Sequence, residues 1–248
     1  MVTSGMLDLR THGFARVGRV LDDASVEALR AAADRAVAGL PASSYGQIRH
    51  DPWRLEPAFE RALRAGWLGA LSCDLLAAPA VTVFQDHVIS KTPGTLAEVS
   101  WHQDFSYWPL TSARGLTVWV ALDDADEGNG CLRYLPGSHL GGERAPADFT
   151  PGAAQARGTA LPPLDLSRVG DVVWVPLAAG EAVVHDPLVV HMSPPNPSSR
   201  PRRAWSISLV VDDARWDPAH APHPYTWALS PVAGAPLDPA RFPRLSPG

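Results

Sequence analysis

Cysteine is scarce: Cys73 and Cys131 are the only two in 248 residues, too few for a disulfide framework and too far apart for a zinc knuckle. They read as buried thiols of a reducing compartment, so a cytoplasmic protein is expected. Basic charge is also in short supply, with 21 Lys and Arg against 26 Asp and Glu, a net charge of −5 and no polybasic run. That balance argues against a nucleic-acid partner, whose phosphates demand a basic face. No window holds about eighteen uninterrupted apolar residues, and residues 1–10 lack a basic segment leading into an apolar run, so neither a membrane span nor a secretory leader is expected. No internal repeat is present. The 25 prolines are about twice ordinary usage, and they gather at 194–201 and after 218, marking loops and an extended tail. One domain is expected over residues 1–248, a length at which an all-β barrel closes a single core. It divides into a helical lead-in (1–79), a strand-rich core (80–211) and a wrapping tail (212–248).

Two apolar stripes at helical spacing stand in the lead-in. Asp22, Asp23 and Ser25 offer N-cap side chains before Val26, Leu29, Ala33 and Val37, and that helix should end near Gly39. Phe59, Leu63, Trp67 and Leu71 recur every four residues and predict a second helix opened by Pro57. Between them Tyr45, Gln47, Arg49, His50 and Trp53 form a polar, aromatic loop of the kind that borders pockets. From Ala80 the period changes to two, and a strand over 81–91 sets Gln85, His87, Ile89 and Lys91 on one face. Further strands are expected over 116–122, 131–135, 172–176, 182–185 and 202–211. The acidic turn at 123–130 lacks the alternating ligands of a calcium loop. Residues 141–168 suit a variable substrate loop, and Trp216, His220, His223 and Trp227 suit a tail wrapped on the barrel.

The chemistry gathers at Trp101-His102-Gln103-Asp104. His102 and Asp104 are two apart, so on an extended strand both side chains project to one face, as two ligands of one metal must. A third ligand would complete a two-histidine, one-carboxylate facial triad, which leaves three positions open for oxygen chemistry at Fe(II). His191 and His185 compete for it, both near strand ends. An H-x-D tripeptide by itself arises often by chance; its surroundings are more specific. Lys91-Thr92-Pro93-Gly94 precedes it, and Asn129-Gly130-Cys131-Leu132, Leu135-Pro136-Gly137-Ser138-His139 and Gly170-Asp171 follow. The series closes with His191-Met192-Ser193-Pro194-Pro195-Asn196-Pro197-Ser198 and Arg202.

In this order and spacing the sequence resembles the phytanoyl-CoA dioxygenase (PhyH) family of Fe(II)/2-oxoglutarate-dependent oxygenases, which includes ectoine hydroxylase-like enzymes. The likeness covers the middle and late chain. It implies a mainly β fold with N-terminal helices, a double-stranded β-helix (jelly roll, cupin-like). It implies Fe(II) held by His102, Asp104 and His191, because Ser193, Asn196 and Arg202 fall at the family's positions after the distal histidine and no such set follows His185. Arg202 would clamp the far carboxylate of the co-substrate 2-oxoglutarate, a task suited to a planar guanidinium. Ser193 and one of Gln85 and Lys91 would assist, and His139 would be structural. O2 would take the remaining position. Trp108, Tyr107 and Arg133 are candidate substrate contacts.

The implied reaction is hydroxylation of an unactivated C–H bond in a small molecule, a natural-product intermediate or modified amino acid, releasing succinate and CO2. A carboxylate at position 104 argues against halogenation, for which related enzymes have a small residue there. The alternatives are an acyl-CoA hydroxylase of the same family and a cupin-like iron enzyme that does not use 2-oxoglutarate. A zinc hydrolase has no motif here, and a non-catalytic module would not need all three ligands.

Overall fold

The computed structural model describes residues 8–43, 46–145, 172–221 and 231–247. Tyr45, Gly170-Asp171, most of 141–168, His223 and Trp227 lie outside them. Helix α1 (Asp23–Val37) begins where the sequence offers a cap: the Asp22 carboxylate accepts a hydrogen bond from the Ser25 backbone N–H. Its stripe of Val26, Leu29, Ala33 and Val37 is buried against the sheet, each large apolar side chain contributing about 1.5–3 kcal/mol. A short helix not expected from the sequence, α2 (Pro52–Leu55), stands in the stretch read as a loop, and the second expected helix is broken into two pieces, α3 (Pro57–Leu63) and α4 (Trp67–Leu76). Gly66, at φ 84, supplies the positive φ that interrupts the stripe between Leu63 and Trp67.

The lead-in is not only helical. It gives β1 (Phe14–Arg19) and β2 (Gln47–His50) to a seven-stranded antiparallel sheet. The others are β3 (Val81–Lys91), β5 (Gly115–Ala121), β8 (Glu181–His185), β10 (Arg202–Val211) and β11 (Arg244–Leu245), in the order β1-β8-β5-β10-β3-β11 with β2 also on β3. A four-stranded sheet holds β4 (Val99–His102), β9 (His191–Ser193), β6 (Leu132–Tyr134) and β7 (Val173–Val175), ordered β4-β9-β6-β7. The two curled sheets form the double-stranded β-helix. Strand alternation sorts each face of the larger one: Val81, Val83, Val118, Val120, Ile207 and Leu209 belong to the core shared with the helices, while Thr117, Trp119, Ser206 and Ser208 turn toward the smaller sheet.

The described tail packs on the barrel. Trp216 and Phe242 join Phe84 and Trp108 in an aromatic cluster, and β11 pairs with the start of β3. Both cysteines are free and buried. Among the described residues no helix is long and apolar enough to cross a membrane.

Candidate metal centre

Register brings the two histidines together. On the smaller sheet β4 and β9 are antiparallel neighbours with His102 directly opposite His191, and the ring centroids are 4.2 Å apart. Asp104 arrives by a different route from the one its spacing suggests. The strand ends at His102, and Asp104 is in right-handed helical conformation (φ −63, ψ −44) at the start of a 3₁₀ turn over Phe105–Tyr107. Gln103, between the ligands, is buried and holds the chain: its amide donates to Gly142 O and Leu188 O and accepts from Arg144 N. Ligand-type atoms of His102, Asp104 and His191 all lie within 4.8 Å of one another.

Hydrogen bonds decide the protonation of each ring. His102 Nδ1 lies 2.8 Å from Ser100 O and His191 Nδ1 3.1 Å from Val189 O. A carbonyl only accepts, so each Nδ1 carries the proton and each Nε2 presents a lone pair, the tautomer a metal needs. The Nε2 atoms stand 3.5 and 3.6 Å from Asp104 Oδ1. His185 is reversed. Its Nε2 faces Asp104 Oδ2 at 3.1 Å and its Nδ1 meets the Tyr134 hydroxyl at 2.9 Å, so Nε2 holds the proton and has no lone pair to offer. Burial alone would raise the Asp104 carboxyl, but His191, His102 and His185 outweigh it and hold it well below the ordinary carboxylate range. Burial, then the neighbouring histidines, keeps His191 well below ordinary histidine. An ionised carboxylate and neutral imidazoles are the forms in which such residues bind a divalent metal.

The cluster opens into a cavity of about 280 Å³ between the sheets. Gln85, His87 and Ile89 line it from β3, with Tyr107 and Trp108 beyond the turn. Trp119, Ser193 and Ser206 line it too. Behind Ser193 and Trp119 lies Arg202, 0% exposed, its guanidinium 5.6 Å from the Trp119 ring centroid. Arg202 Nη2 donates to Ser193 Oγ, but its Nε and Nη1 have no partner, and no carboxylate pairs with it among the described residues. Burial lowers its pKa to about 10, so it stays charged at neutral pH.

Lys91, the chain's only lysine, does not line this cavity. Its Nζ lies in hydrogen-bond reach of Ser193 O, Ser193 Oγ and Pro194 O, three partners that match the three protons of its charged form and fasten β3 to the segment after His191. Burial, then repulsion from Arg202, brings its pKa down to about 6. Ser193 Oγ accepts from Lys91 and Arg202 and donates to Gly130 O. Gly130 has to be glycine there: at φ 90, a Cβ would sit 2.6 Å from Pro194 O.

Of the sequence-derived candidates, His102, Asp104, His191, Gln85, Ser193, Tyr107 and Trp108 meet at the cavity, with Arg202 one hydrogen bond behind it. Arg133 does not. Leu132 and Tyr134 point inward from β6, so alternation turns Arg133 to the outer face, where it lies over Trp174 at 4.5 Å and Trp101 at 5.6 Å. His139 is outside the cavity, its Nε2 3.1 Å from Arg10 O. Sequence reasoning did not single out Thr117 and Tyr134, which act only through their neighbours.

The PhyH family profile, described as phytanoyl-CoA dioxygenase, matches residues 9–204. The chain belongs to the PhyH family. A bovine (Bos taurus) phytanoyl-CoA dioxygenase domain-containing protein 1 is 35% identical over 173 residues, 68% of this chain and 58% of that protein; the chain thus spans under two thirds of that relative's length. Among solved structures, the epimerase SnoN in complex with Fe3+, alpha ketoglutarate (2-oxoglutarate) and nogalamycin RO is 25% identical with a TM-score of 0.79, covering 98% of both chains. AviO1 from Streptomyces viridochromogenes Tue57 is 28% identical with a TM-score of 0.68, covering 88% of this PhyH chain and 98% of its own.

Proposed function

We propose that this PhyH-family chain is an Fe(II)- and 2-oxoglutarate-dependent oxygenase in which His102 Nε2, Asp104 Oδ1 and His191 Nε2 hold the metal. The observation that carries the reading is a buried, charged arginine with no carboxylate partner among the described residues, behind the wall of the cavity that holds a His-Asp-His cluster. An uncompensated guanidinium in a protein interior costs several kcal/mol, and a carboxylate from a bound molecule offsets that cost. 2-Oxoglutarate would bring a carboxylate for Arg202 beyond the end that meets the metal, and the SnoN complex with both Fe3+ and alpha ketoglutarate supports a site that takes the two together. A cupin-like iron enzyme without 2-oxoglutarate leaves Arg202 unexplained.

When bound, iron(II) with 2-oxoglutarate and O2 supplies the oxidising power to break an unactivated C–H bond, with succinate and CO2 as by-products. The protein's part is placement. His102 and His191 keep their lone pairs aimed inward through their backbone hydrogen bonds, Arg202 and the Trp119 face orient the co-substrate, and Tyr107, Trp108 and Ile89 exclude water from the reacting centre.

For the substrate we infer a small molecule without strong negative charge, a natural-product intermediate or modified amino acid, and hydroxylation as the outcome. Among the described residues the cavity lining contains no lysine or arginine, and its hydrogen-bonding groups include the neutral side chains of Gln85, Ser206 and Ser208. An acyl-CoA, with its phosphates, would call for basic residues at the mouth. The nogalamycin RO bound to SnoN supports the natural-product choice. Anaerobic titration of the apo-protein with Fe(II) and then 2-oxoglutarate tests the reaction class through the visible charge-transfer band of the chelate. Iron binding without the band would favour the cupin-like alternative, and no binding at all would overturn both. A screen in which only acyl thioesters stimulate succinate formation would reverse the substrate order.

A further inference from the structure

We propose that His185 is a positioning residue that, together with Thr117, holds the Asp104 carboxylate so that one oxygen, Oδ1, faces the gap between His102 and His191. The inference rests on reading this cluster as the iron site. Asp104 Oδ2 receives Thr117 Oγ1–H at 2.6 Å and His185 Nε2–H at 3.1 Å. Two donors fill the lone pairs of that oxygen, while Oδ1 stays with the two Nε2 atoms. A carboxylate free to rotate would offer both oxygens and use one of the positions that co-substrate and O2 require. Fixed in this way, it offers one.

The donors are themselves fixed. Thr117 and His185 are direct cross-strand partners on β5 and β8, so both reach the carboxylate from the larger sheet while Asp104 comes from the turn after β4. Because Oδ2 only accepts, a His185 proton is on Nε2, and in the neutral imidazole Nδ1 then accepts from Tyr134 O–H. Tyr134 is 0% exposed and is held between Phe14, at a ring distance of 4.3 Å, and His191, at 5.7 Å. The order Tyr134 to His185 to Asp104 therefore runs in one donor direction. A histidine with a purely structural role needs some acceptor; this one has the single carboxylate of the site.

The test compares wild type with His185→Phe, His185→Gln, Thr117→Val and Tyr134→Phe, all anaerobic. It measures Fe(II) affinity by calorimetry, the energy of the charge-transfer band with 2-oxoglutarate, and melting of the metal-free protein. Loss of His185 should weaken Fe(II) binding about 10- to 100-fold, in the range seen when groups that orient metal ligands are removed, and should shift the band. His185→Gln, which keeps an N–H for Oδ2, should recover most of the affinity, and Tyr134→Phe should shift the band in the same direction by less. If His185→Phe does not fold, Thr117→Val and Tyr134→Phe decide. Unmoved affinity and band in every folded variant would overturn the inference, as would glutamine failing as badly as phenylalanine with melting lowered equally in both. A wild type that binds no Fe(II) would overturn the iron reading itself, and the inference with it.

Discussion

The two ends of the cavity are built on opposite principles. At the metal end the protein answers the ligands themselves: both ligand imidazoles have their Nδ1 protons placed, and Asp104 Oδ2 is filled by Thr117 and His185. At the anion end two buried basic groups, Lys91 and Arg202, have no carboxylate partner among the described residues, and Arg202, the one that stays charged at neutral pH, keeps two nitrogens unpartnered. Lys91 is at least fully hydrogen-bonded; Arg202 is not. The contrast separates two ways of preparing a site. A metal needs ligands oriented in advance, whereas a dianionic co-substrate brings its own compensation and can be met by uncompensated charge, whose desolvation is a standing cost to the apo-protein.

The metal end is the place to look for the largest effect. His102→Ala, Asp104→Ala and His191→Ala should each leave no measurable turnover, whether followed by succinate release or by O2 consumption. A variant of the three that kept turnover would remove its residue from the ligand set.

Arg202→Met should separate the two ends. Iron binding should persist while 2-oxoglutarate affinity falls by about 3 kcal/mol, roughly 100-fold, and the metal-free protein should melt higher by a few degrees, since a buried charge without a partner has been replaced by an apolar group. Calorimetry gives the affinity and a thermal melt gives the stability. Unchanged affinity would sink the clamp; a lower melting temperature would mean that Arg202 is compensated in a way its unpartnered nitrogens do not suggest.

Much of this contrast could be read before any coordinates. The H-x-D, the distal histidine and the arginine eleven residues later are carried by local spacing, and the period-two stretch at 81–91 does lie with Gln85, His87 and Ile89 toward the cavity. Asp104 shows the limit of spacing: its inward direction comes from a turn, not from the strand alternation that pointed to it. What sequence hid is tertiary. The reversed tautomer of His185 depends on the Thr117–His185 register and on Tyr134, 51 residues away, and no local pattern encodes which carboxylate oxygen a histidine will face. Arg133 was within reach of inference, because Leu132 and Tyr134 beside it already mark the inward face of β6. The break at Gly66 was within reach too, since a glycine inside a helical stripe weakens it.

Lys91 sharpens the comparison through pH. Its pKa falls from an ordinary 10.5 to about 6 in the fold, so between those values the unfolded chain binds more protons and stability rises with pH. The contribution is complete above about 10.5 and lost as pH falls toward 6. Denaturant unfolding of the metal-free protein from pH 6 to 9 should show this rise, and Lys91→Met should flatten it. A slope unchanged by the substitution would mean that Lys91 keeps its proton, and that the three oxygens around it carry more weight than its burial beside Arg202.

The smallest effect belongs to the cation that is outside the contrast. Arg133 is on the outer face between Trp101 and Trp174, where a guanidinium over an aromatic ring contributes about 0.5–2 kcal/mol. Arg133→Ala should therefore lower stability by about 1 kcal/mol and leave Fe(II) and 2-oxoglutarate affinity at wild-type values. Equilibrium unfolding and the same titrations measure both. Should co-substrate affinity fall as it does for Arg202→Met, positive charge anywhere on the smaller sheet would suffice to attract the anion, and the distinction between a cation buried beside the cavity and one stacked on tryptophans at the outer face would lose its force.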